Sequence, residues 1–351
     1  MSPPRVTIVS PNPSNQAGGV EWVCTLLAQT LERQGWQASI VGPARPPTQW
    51  EFRLGLSYPV LARSGMRAAR AERPDLIVTN GYLGLDGLGG PPRVHIYHGT
   101  MVGVTKALKE TLPRRERVRR TLSAGVTEAL GGRAAASVVC VSEATAQEVR
   151  RYYRVSPDAI IPNGVDVDTF APRDQTGARE RLNLPPEGRY ATFVGRFEHG
   201  KGAQPTVEAA RRAGYELLIA GPKGAPGARH LGILAPERLA DAYAAADCIV
   251  LPTLYEACSL VVLEALACER PLITTPVGWM NTLLQAVPEY CQLCVRPTVE
   301  DISARMAALA DLPTASLTSA ARAFVLEHNS LGRWAEQWEK LIDDVMSRHR
   351  R

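Results

Sequence analysis

Short β-branched runs alternate with segments of helical period along most of this chain. The first run, RVTIVS, precedes VEWVCTLLAQTLERQGW, whose apolar residues at 23, 26, 27 and 31 recur as on one helix face. Further strand-like runs follow in order: QASIVGP, DLIVTNG, RVHIYHG, SVVCVS, AIIPNGVD, YATFVG, YELLIAG, CIVLP and PLITTPVG. Because strands that alternate with helices form parallel sheets with helices on both faces, the pattern predicts an α/β fold.

The alternation is interrupted once, by a polar stretch that contains proline, from residue 166 to about residue 189. We interpret this stretch as a linker. The chain has 351 residues, too many for one ordinary core, so two domains are expected. The sequence predicts a first domain over 1–168 and a second over 169–330, with a strongly amphipathic last helix over 331–351.

Composition indicates a globular, cytoplasmic protein. Hydrophobic residues make up 45% of the chain and charged residues 21%, which argues against disorder. No apolar run reaches the length of a membrane span, and the chain opens on a strand without a signal-peptide pattern. The seven cysteines are scattered and odd in number; Cys291 and Cys294 form a C-x-x-C without a second pair, so no metal site is expected.

Positive charge is concentrated between Thr105 and Arg133, which we call the basic segment. It contains eight Lys/Arg and three Asp/Glu, a difference of +5 that equals the formal net charge of the whole chain. The segment is either a solvated helical face or a patch for an anionic acceptor or an anionic membrane surface. Nucleic acid is disfavoured as a partner, because no aromatic residues interleave with the basic ones.

Ligands of open α/β sheets bind beyond the carboxyl ends of the strands, so the loops after the strands are the candidate site. Gly18 and Gly19 lie between the first strand and the first helix, where their amides suit either an anion or a simple turn. No G-x-G-x-x-G fingerprint is present. His98 ends the strand RVHIYH, where it could bind a substrate or serve the structure.

The loop VGRFEHGKG places two cations, Arg196 and Lys201, after the first strand of the predicted second domain. Two cations at a strand end suit a diphosphate, and the glycines around them allow close backbone approach. Simple surface charge is the alternative interpretation.

The run TLYEACSLVVLEALACERP carries two carboxylates, Glu256 and Glu264. Ser259 is a suitable N-cap, so a helix is expected to begin there and to end before Pro271. Glu256 then lies in the loop at the strand end, and Glu264 lies within the helix among apolar neighbours. The two acids are either one capping acid and one surface acid, or they face a polar ligand such as a nucleotide sugar. The apolar neighbours of Glu264 favour the ligand, because a buried acid is costly without a partner.

In this order and spacing, these segments resemble the retaining glycosyltransferases of family 4, which have the GT-B fold. The resemblance rests on GGVEWVCTLLAQTLERQG, on VSE followed by IPNGVD, on the R-x4-K loop VGRFEHGKG, and on an E-x7-E run followed by PLITTPVG. It implies two Rossmann-like, doubly wound parallel-sheet domains facing a central cleft: an acceptor domain, with the helix 331–351 crossing back onto it, and a donor domain.

The resemblance also implies a role for each candidate residue. Glu256 and His98 would act on the transferred sugar, and Glu264 would hold the ribose. The donor diphosphate would be bound by residues from both domains, namely Arg196, Lys201, Gly18, Gly19, Ser259 and Leu260. Asn163 would lie at the domain junction. No cofactor or metal is implied, since the diphosphate charge is stabilised by cations and helix-end amides.

Two departures from the family pattern bear on the donor. The family usually has Glu-Gly-Phe-Gly where this chain has Glu256-Ala-Cys-Ser, and a further glycine where Trp279 follows Gly278. The expected activity is metal-independent retaining transfer, with a UDP-sugar as the first donor to consider and a hydroxyl-bearing glycan, glycolipid or natural product as acceptor. The alternatives are an NAD-dependent two-domain oxidoreductase and a non-catalytic protein that binds nucleotide sugars.

Overall fold

A computed structural model describes residues 3–13, 18–85 and 89–349 of the chain. Part of the predicted loop 11–19 therefore lies outside the described residues. The chain divides into two compact units. The first comprises the chain up to Pro162 together with the chain from Ala335 onward, and the second comprises Asn163–Trp334.

The first unit is built on a six-stranded parallel sheet with the strand order β2-β1-β3-β4-β5-β6. The strands are β1 (Arg5–Val9), β2 (Gln37–Val41), β3 (Leu76–Asn80), β4 (Arg93–Tyr97), β5 (Ser137–Cys140) and β6 (Ala159–Ile160). Every residue of β3, β4 and β5 is buried. This explains their nearly continuous apolar sequences, since both faces of a parallel sheet are covered by helices.

Seven α-helices lie between these strands in the described part of the first unit. They are α1 (Gly19–Arg33), α2 (Gln49–Arg53), α3 (Ser57–Ala71), α4 (Met101–Ala107), α5 (Arg114–Arg119), α6 (Gly125–Arg133) and α7 (Glu143–Glu148). A π-helical turn, Arg120–Ala124, joins α5 to α6, and a second one, Val149–Tyr153, continues α7. The basic segment is therefore almost wholly helical.

The second unit is built on a five-stranded parallel sheet with the strand order β11-β10-β7-β8-β9. The strands are β7 (Tyr190–Val194), β8 (Glu216–Ala220), β9 (Ala228–Gly232), β10 (Cys248–Leu251) and β11 (Leu272–Thr274). Two parallel-sheet α/β units confirm the predicted fold class. The edge strand β9 was not predicted, because its sequence ARHLG contains no run of β-branched or aromatic residues and none of its residues is buried.

The helices of the second unit include those predicted from periodicity. They are α8 (Gln175–Arg181), α9 (Ala203–Ala213), α10 (Pro236–Ala245), α11 (Leu260–Ala267), α12 (Met280–Ala286), α13 (Val299–Ala307), α14 (Thr314–Asn329) and the start of α15 (Leu331–His349). From Ala335 onward, α15 is grouped with the first unit. None of the helices described is both long and apolar enough to span a bilayer.

The interpretation of 166–189 as a linker was wrong, because this stretch contains α8 and belongs to the second unit. Asp174 caps the helix by accepting a hydrogen bond from the Gly177 amide at 2.6 Å. Arg179 is buried and donates to the Ala245 carbonyl and to Asp247 Oδ1, each at 3.0 Å. Arginine hydrogen bonds hold much of this stretch in place. Its composition is therefore polar, which is why it was interpreted as a linker.

Candidate functional site

The loops after β7, β10 and β11 emerge side by side, because these three parallel strands are neighbours in the sheet. The Gly200 carbonyl, in the loop after β7, accepts from the Leu254 amide at 2.8 Å and from Thr253 Oγ1 at 3.0 Å. Gly202 has φ +69°, and a Cβ there would lie 2.3 Å from the Pro252 carbonyl oxygen. Only glycine permits this approach, which joins the predicted phosphate loop to the loop that carries Glu256.

This junction brings Lys201 and Glu256 together. The Lys201 ammonium donates to Glu256 Oε1 in an ion pair whose two side chains are largely buried. Arg196 behaves differently: its side chain is 66% exposed and lies 3.3 Å from Glu198 Oε1 in the same loop. Of the two predicted cations, the structure therefore places Lys201 against the predicted catalytic glutamate and leaves Arg196 in solvent.

Ser259 occupies the N-cap position of α11, whose first residue is Leu260, as predicted. The Ser259 hydroxyl makes no capping hydrogen bond. The first amides of a helix have no partner within the helix, so those at the start of α11 remain available to a ligand. They also carry the partial positive charge of the helix N-terminus, which attracts anions.

A pocket opens at this helix start. Glu256 and Ser259 line it from one loop, and Thr275, Trp279 and Met280 line it from the chain after β11. Trp279 and Met280 are both nearly fully buried. The residues that stand where the family has another glycine therefore contribute to the wall of this pocket.

Gly278 fixes the distance between the two walls of the pocket. It has φ +59°, and a Cβ there would lie 2.1 Å from the Glu256 carbonyl oxygen and 2.5 Å from that of Ala257. The next residue, Trp279, donates its amide to the Ala257 carbonyl at 2.8 Å. The backbone that carries Glu256 is thus packed directly against the loop after β11.

Asn163 supports the same loop from the start of the second unit. Its buried side chain donates from Nδ2 to the Cys258 carbonyl at 2.7 Å. The Asn163 carbonyl in turn accepts from Asn329 Nδ2 at 3.0 Å. Asn163 therefore positions the loop between Glu256 and α11, and no local pattern predicts this contact because Cys258 is 95 residues away.

Glu264 lies in α11 and is only 8% exposed. Its Oε2 accepts a hydrogen bond of 2.7 Å from the hydroxyl of Tyr243 in α10. Burial raises the pKa of Glu264 to about 7, with the tyrosine bond acting in the opposite direction. Tyr243 was not predicted, because it is 21 residues away and its position in α10 reads simply as a core residue.

In the first unit, Gly18 is the N-cap residue of α1 and Gly19 is its first residue. Gly18 is extended rather than left-handed, at φ −93°. A Cβ at Gly18 would lie 1.9 Å from Glu21 Oε2, so the Glu21 carboxylate already lies over the first turn of α1. Any anion at this helix start would therefore meet the negative charge of Glu21.

His98 follows β4 and forms a hydrogen bond of 2.9 Å between its Nε2 and Asn80 Oδ1. Asn80 Nδ2 donates to the Val9 carbonyl at 2.8 Å, which fixes Oδ1 as the acceptor. Burial lowers the pKa of His98 to about 4, so the imidazole is neutral at pH 7. Nε2 then carries the proton, and Nδ1 is left as a hydrogen-bond acceptor.

Within the part of the chain that the structure describes, no group of three or more His, Cys, Asp or Glu residues is arranged to hold a metal ion. The second unit offers the carboxylate of Glu256 and the amides at the start of α11 around one pocket, with the Lys201 cation paired to that carboxylate. Of the residues predicted from the sequence, the structure brings Lys201 and Glu256 into contact and places Ser259 at the start of α11. The supporting residues Thr253, Gly278 and Thr275 were not predicted, because their contacts are mostly with backbone.

Two family models match consecutive parts of the chain. Residues 17–169 match the model described as Glycosyltransferase Family 4, and residues 188–311 match the model described as Glycosyl transferases group 1. A D-inositol 3-phosphate glycosyltransferase of Segniliparus rotundus is 30% identical over 214 residues, 54% of this chain and 46% of that protein. The chain spans about half the length of the curated relatives it matches.

Solved structures match over nearly the whole chain. A sucrose-phosphate synthase from Thermosynechococcus elongatus superposes with a TM-score of 0.80 at 22% identity, covering 98% of this chain and 99% of that one. The Anabaena protein HepE, in complex with UDP and glucose, gives a TM-score of 0.69 at 15% identity, covering 97% and 99%. At these identities the likeness establishes the fold, which is that of GT-B glycosyltransferases.

Proposed function

Because the chain belongs to the glycosyltransferases that join a family 4 domain to a group 1 domain, we propose that it transfers a sugar from a nucleotide-diphosphate sugar to an acceptor hydroxyl. The donor to test first is a UDP-sugar, and HepE, a neighbour in fold, was solved with UDP and glucose. The proposed acceptor is a glycan, a glycolipid or a natural product. The proposed stereochemical outcome is retention, without a metal ion.

The contact between Lys201 and Glu256 is the observation that carries this proposal. It joins a cation to a carboxylate at the carboxyl edge of the sheet, beside the uncapped start of α11. A diphosphate needs positive charge and amide donors, whereas a sugar needs hydrogen-bond acceptors for its hydroxyls. Glu256 and the start of α11 line one pocket in the second unit, and Lys201 is paired with Glu256 at its edge.

The proposed chemistry places each of these groups where charge changes. The bond between the sugar C1 and the phosphate oxygen breaks while the acceptor oxygen bonds to C1, through an oxocarbenium-like transition state. Negative charge grows on the departing diphosphate, where Lys201, Arg196 and the amides of Ser259 and Leu260 would stabilise it. The acceptor proton passes to the departing phosphate on the same face, which gives retention.

The carboxylates and the histidine are proposed to hold the sugar and the nucleotide. Glu256 would accept hydrogen bonds from the sugar hydroxyls, and Glu264 from the ribose hydroxyls. From the first unit, His98 would accept a hydrogen bond from a hydroxyl of the transferred sugar through its unprotonated Nδ1. Gly18 and Gly19 would approach the donor phosphates. Asn163 would lie at the domain junction while its side chain donates a hydrogen bond to the Cys258 carbonyl.

A panel of UDP-, GDP-, ADP- and TDP-sugars tests the proposal, with thermal stabilisation and nucleotide release as readouts. We expect donors of one nucleotide class to stabilise the protein against heat. Release of the nucleotide should continue in the presence of EDTA. NMR of the product should show the same anomeric configuration as the donor. Stabilisation without release, even with acceptors, would indicate a non-catalytic binding protein. Folded protein that none of the donors stabilises would refute the donor site, and an inverted product would refute retention.

A further inference from the structure

The helical part of the basic segment turns an apolar face to solvent. Val118, Leu122, Val126 and Leu130, spaced four residues apart, are all exposed, and Leu122 is 65% exposed. The residues on the other side, such as Ala124 and Glu128, are buried. Amphipathic helices of globular proteins bury their apolar face and expose their polar one. An apolar face turned to solvent therefore indicates an interaction surface.

The π-helical turn Arg120–Ala124 aligns these four side chains. In a regular helix of about 100° per residue, residues 118 and 130 would differ by roughly 120° in direction. A π-helical turn takes in one extra residue, which reduces that difference to about 20°. The irregular turn between α5 and α6 therefore converts a spacing of four into a straight stripe.

A second element adds aromatic residues to the same surface. Trp50, Phe52, Leu54 and Leu56, in and after α2, are all exposed. They are held outward by the buried carboxylate of Glu51, which accepts two hydrogen bonds from Arg45, at 2.9 and 2.7 Å, and one from the Thr48 amide. Arg45 thereby lowers the pKa of Glu51 to about 2. The fold thus fixes these apolar side chains in solvent.

The two elements touch. The Arg119 guanidinium lies over the Phe52 ring, 4.1 Å from its centre, and donates to Ser57 Oγ at 3.2 Å. The Ser123 hydroxyl donates to the Gly55 carbonyl. We call the combined surface the apolar face; it comprises Trp50, Phe52, Leu54, Leu56, Val118, Leu122, Val126 and Leu130.

Unpaired cations accompany the apolar face. Lys109, Arg114, Arg115 and Arg53 are exposed, and no ion pair joins any of them to another described residue. The acid of α5, Glu116, is instead engaged by Arg119 and Arg120. The elements of the apolar face therefore present both exposed hydrocarbon and uncompensated positive charge.

We propose that the apolar face docks on an anionic lipid bilayer, with its aliphatic and aromatic side chains among the headgroups and the cations on lipid phosphates. This combination of Trp, Phe and Leu with Arg and Lys is typical of helices that lie in a membrane interface. An anionic lipid surface neutralises the positive charge wherever the cations fall. A protein partner would instead need an acidic residue opposite each unpaired cation. The proposal is independent of the proposed function, because it concerns the first unit alone.

Sedimentation of the purified chain with vesicles tests this proposal. Wild type is compared on phosphatidylcholine vesicles and on vesicles with about one-third phosphatidylglycerol, at low and high salt. We expect binding to the anionic vesicles only, weakened by salt because exposed charges are screened. Leu122→Ser should weaken it roughly tenfold, through lost apolar burial. Arg114→Ala/Arg115→Ala should weaken it by tenfold or more, at about 1 kcal/mol per charge.

Ile233→Ser in the second unit is the matched control, since Ile233 is 66% exposed. It should leave vesicle binding unchanged. Donor-induced thermal stabilisation should be the same in Leu122→Ser and in wild type, which separates this test from that of the donor site. Equal binding by Leu122→Ser and Ile233→Ser, or no wild-type binding at low salt, would overturn the proposal. A wild-type dimer that Leu122→Ser converts to monomer would assign the face to a second copy instead.

Discussion

Each unit contains a buried glutamate in nearly the same physical environment. Glu128 in α6 of the first unit accepts a hydrogen bond from the Tyr153 hydroxyl, and Glu264 in α11 of the second accepts one from Tyr243. Burial raises the pKa of each to about 7. A buried carboxylate with a raised pKa is often taken as a mark of a functional site, so the two invite the same interpretation.

Their other contacts distinguish them. Glu128 also accepts from the Met101 amide at 2.9 Å, and its own carbonyl accepts from the Tyr97 hydroxyl at 2.6 Å. Among the described residues, the Glu264 carboxylate receives one hydrogen bond, and its helix begins at the pocket that Glu256 lines. Burial alone therefore does not mark a ligand site; the position of Glu264 beside the strand-end loops and its single hydrogen bond are what make it the stronger candidate of the two.

The largest expected effect comes from a third glutamate, Glu256, which is paired with Lys201. Glu256→Ala removes the partner of Lys201 and the proposed contact to the sugar. We expect the transfer rate to fall by about 10²- to 10³-fold, as when one group that stabilises a transition state is lost. Steady-state kinetics measure this, with the exposed Glu327→Ala in α14 as the control. Transfer that survives intact would show that Glu256 has no catalytic role.

A smaller effect should separate Glu264 from Glu128 directly. Glu264→Gln weakens the proposed bonds to the ribose hydroxyls, so donor affinity should fall about tenfold, the usual loss for a charged hydrogen-bond acceptor. Glu128→Gln should leave donor affinity unchanged, because it is buried within the first unit. Isothermal titration calorimetry measures both. Equal losses of donor affinity in Glu264→Gln and Glu128→Gln would show that Glu264 has no special role in binding the donor.

The smallest effect is one that the two glutamates should share. A native pKa near 7, above the unfolded value near 4.5, means that the folded state binds more protons between these pH values. The free energy of unfolding should therefore decrease as pH rises through this window. We expect on the order of 1 kcal/mol from each glutamate. Urea unfolding at pH 5 and pH 8 should show a smaller decrease for either Gln variant than for wild type.

The elements that could be predicted were those with strong local signals. The strands β3, β4 and β7 are rich in β-branched and aromatic residues and buried throughout, so their sequences indicate both type and position. The helix α8 was not predicted, because Arg179 anchors it to Ala245 and Asp247, which lie 66 and 68 residues away. Contacts between residues tens of positions apart leave no local pattern to detect.

The candidate site shows the same contrast between local and distant signals. The burial of Glu264 was predicted because apolar residues flank it, whereas Glu128 was counted among the acids of the basic segment although it is also buried. The partners Tyr153 and Tyr243 lie 25 and 21 residues from their glutamates, so no spacing indicates them. Likewise the charge of the basic segment was evident, but Trp50 and Phe52, which complete the apolar face, lie far outside it.

The π-helical turn Arg120–Ala124 lets this surface tolerate one change in chain length. Deleting a residue of the turn other than Leu122 would restore a regular helix in which Val118 and Leu130 stand about eleven residues apart, and at about 100° per residue they would still differ by only about 20° in direction. The change that breaks the stripe is a regular helix at the present length, which would direct Val126 and Leu130 about 100° away from Val118 and Leu122, or oblige the whole of α6 to rotate in its packing. A relative could therefore keep the apolar face across a single deletion here, or lose it with all eight apolar residues in place if the turn became regular without one. In an alignment of such proteins, a one-residue gap at this turn would accompany a face that is retained.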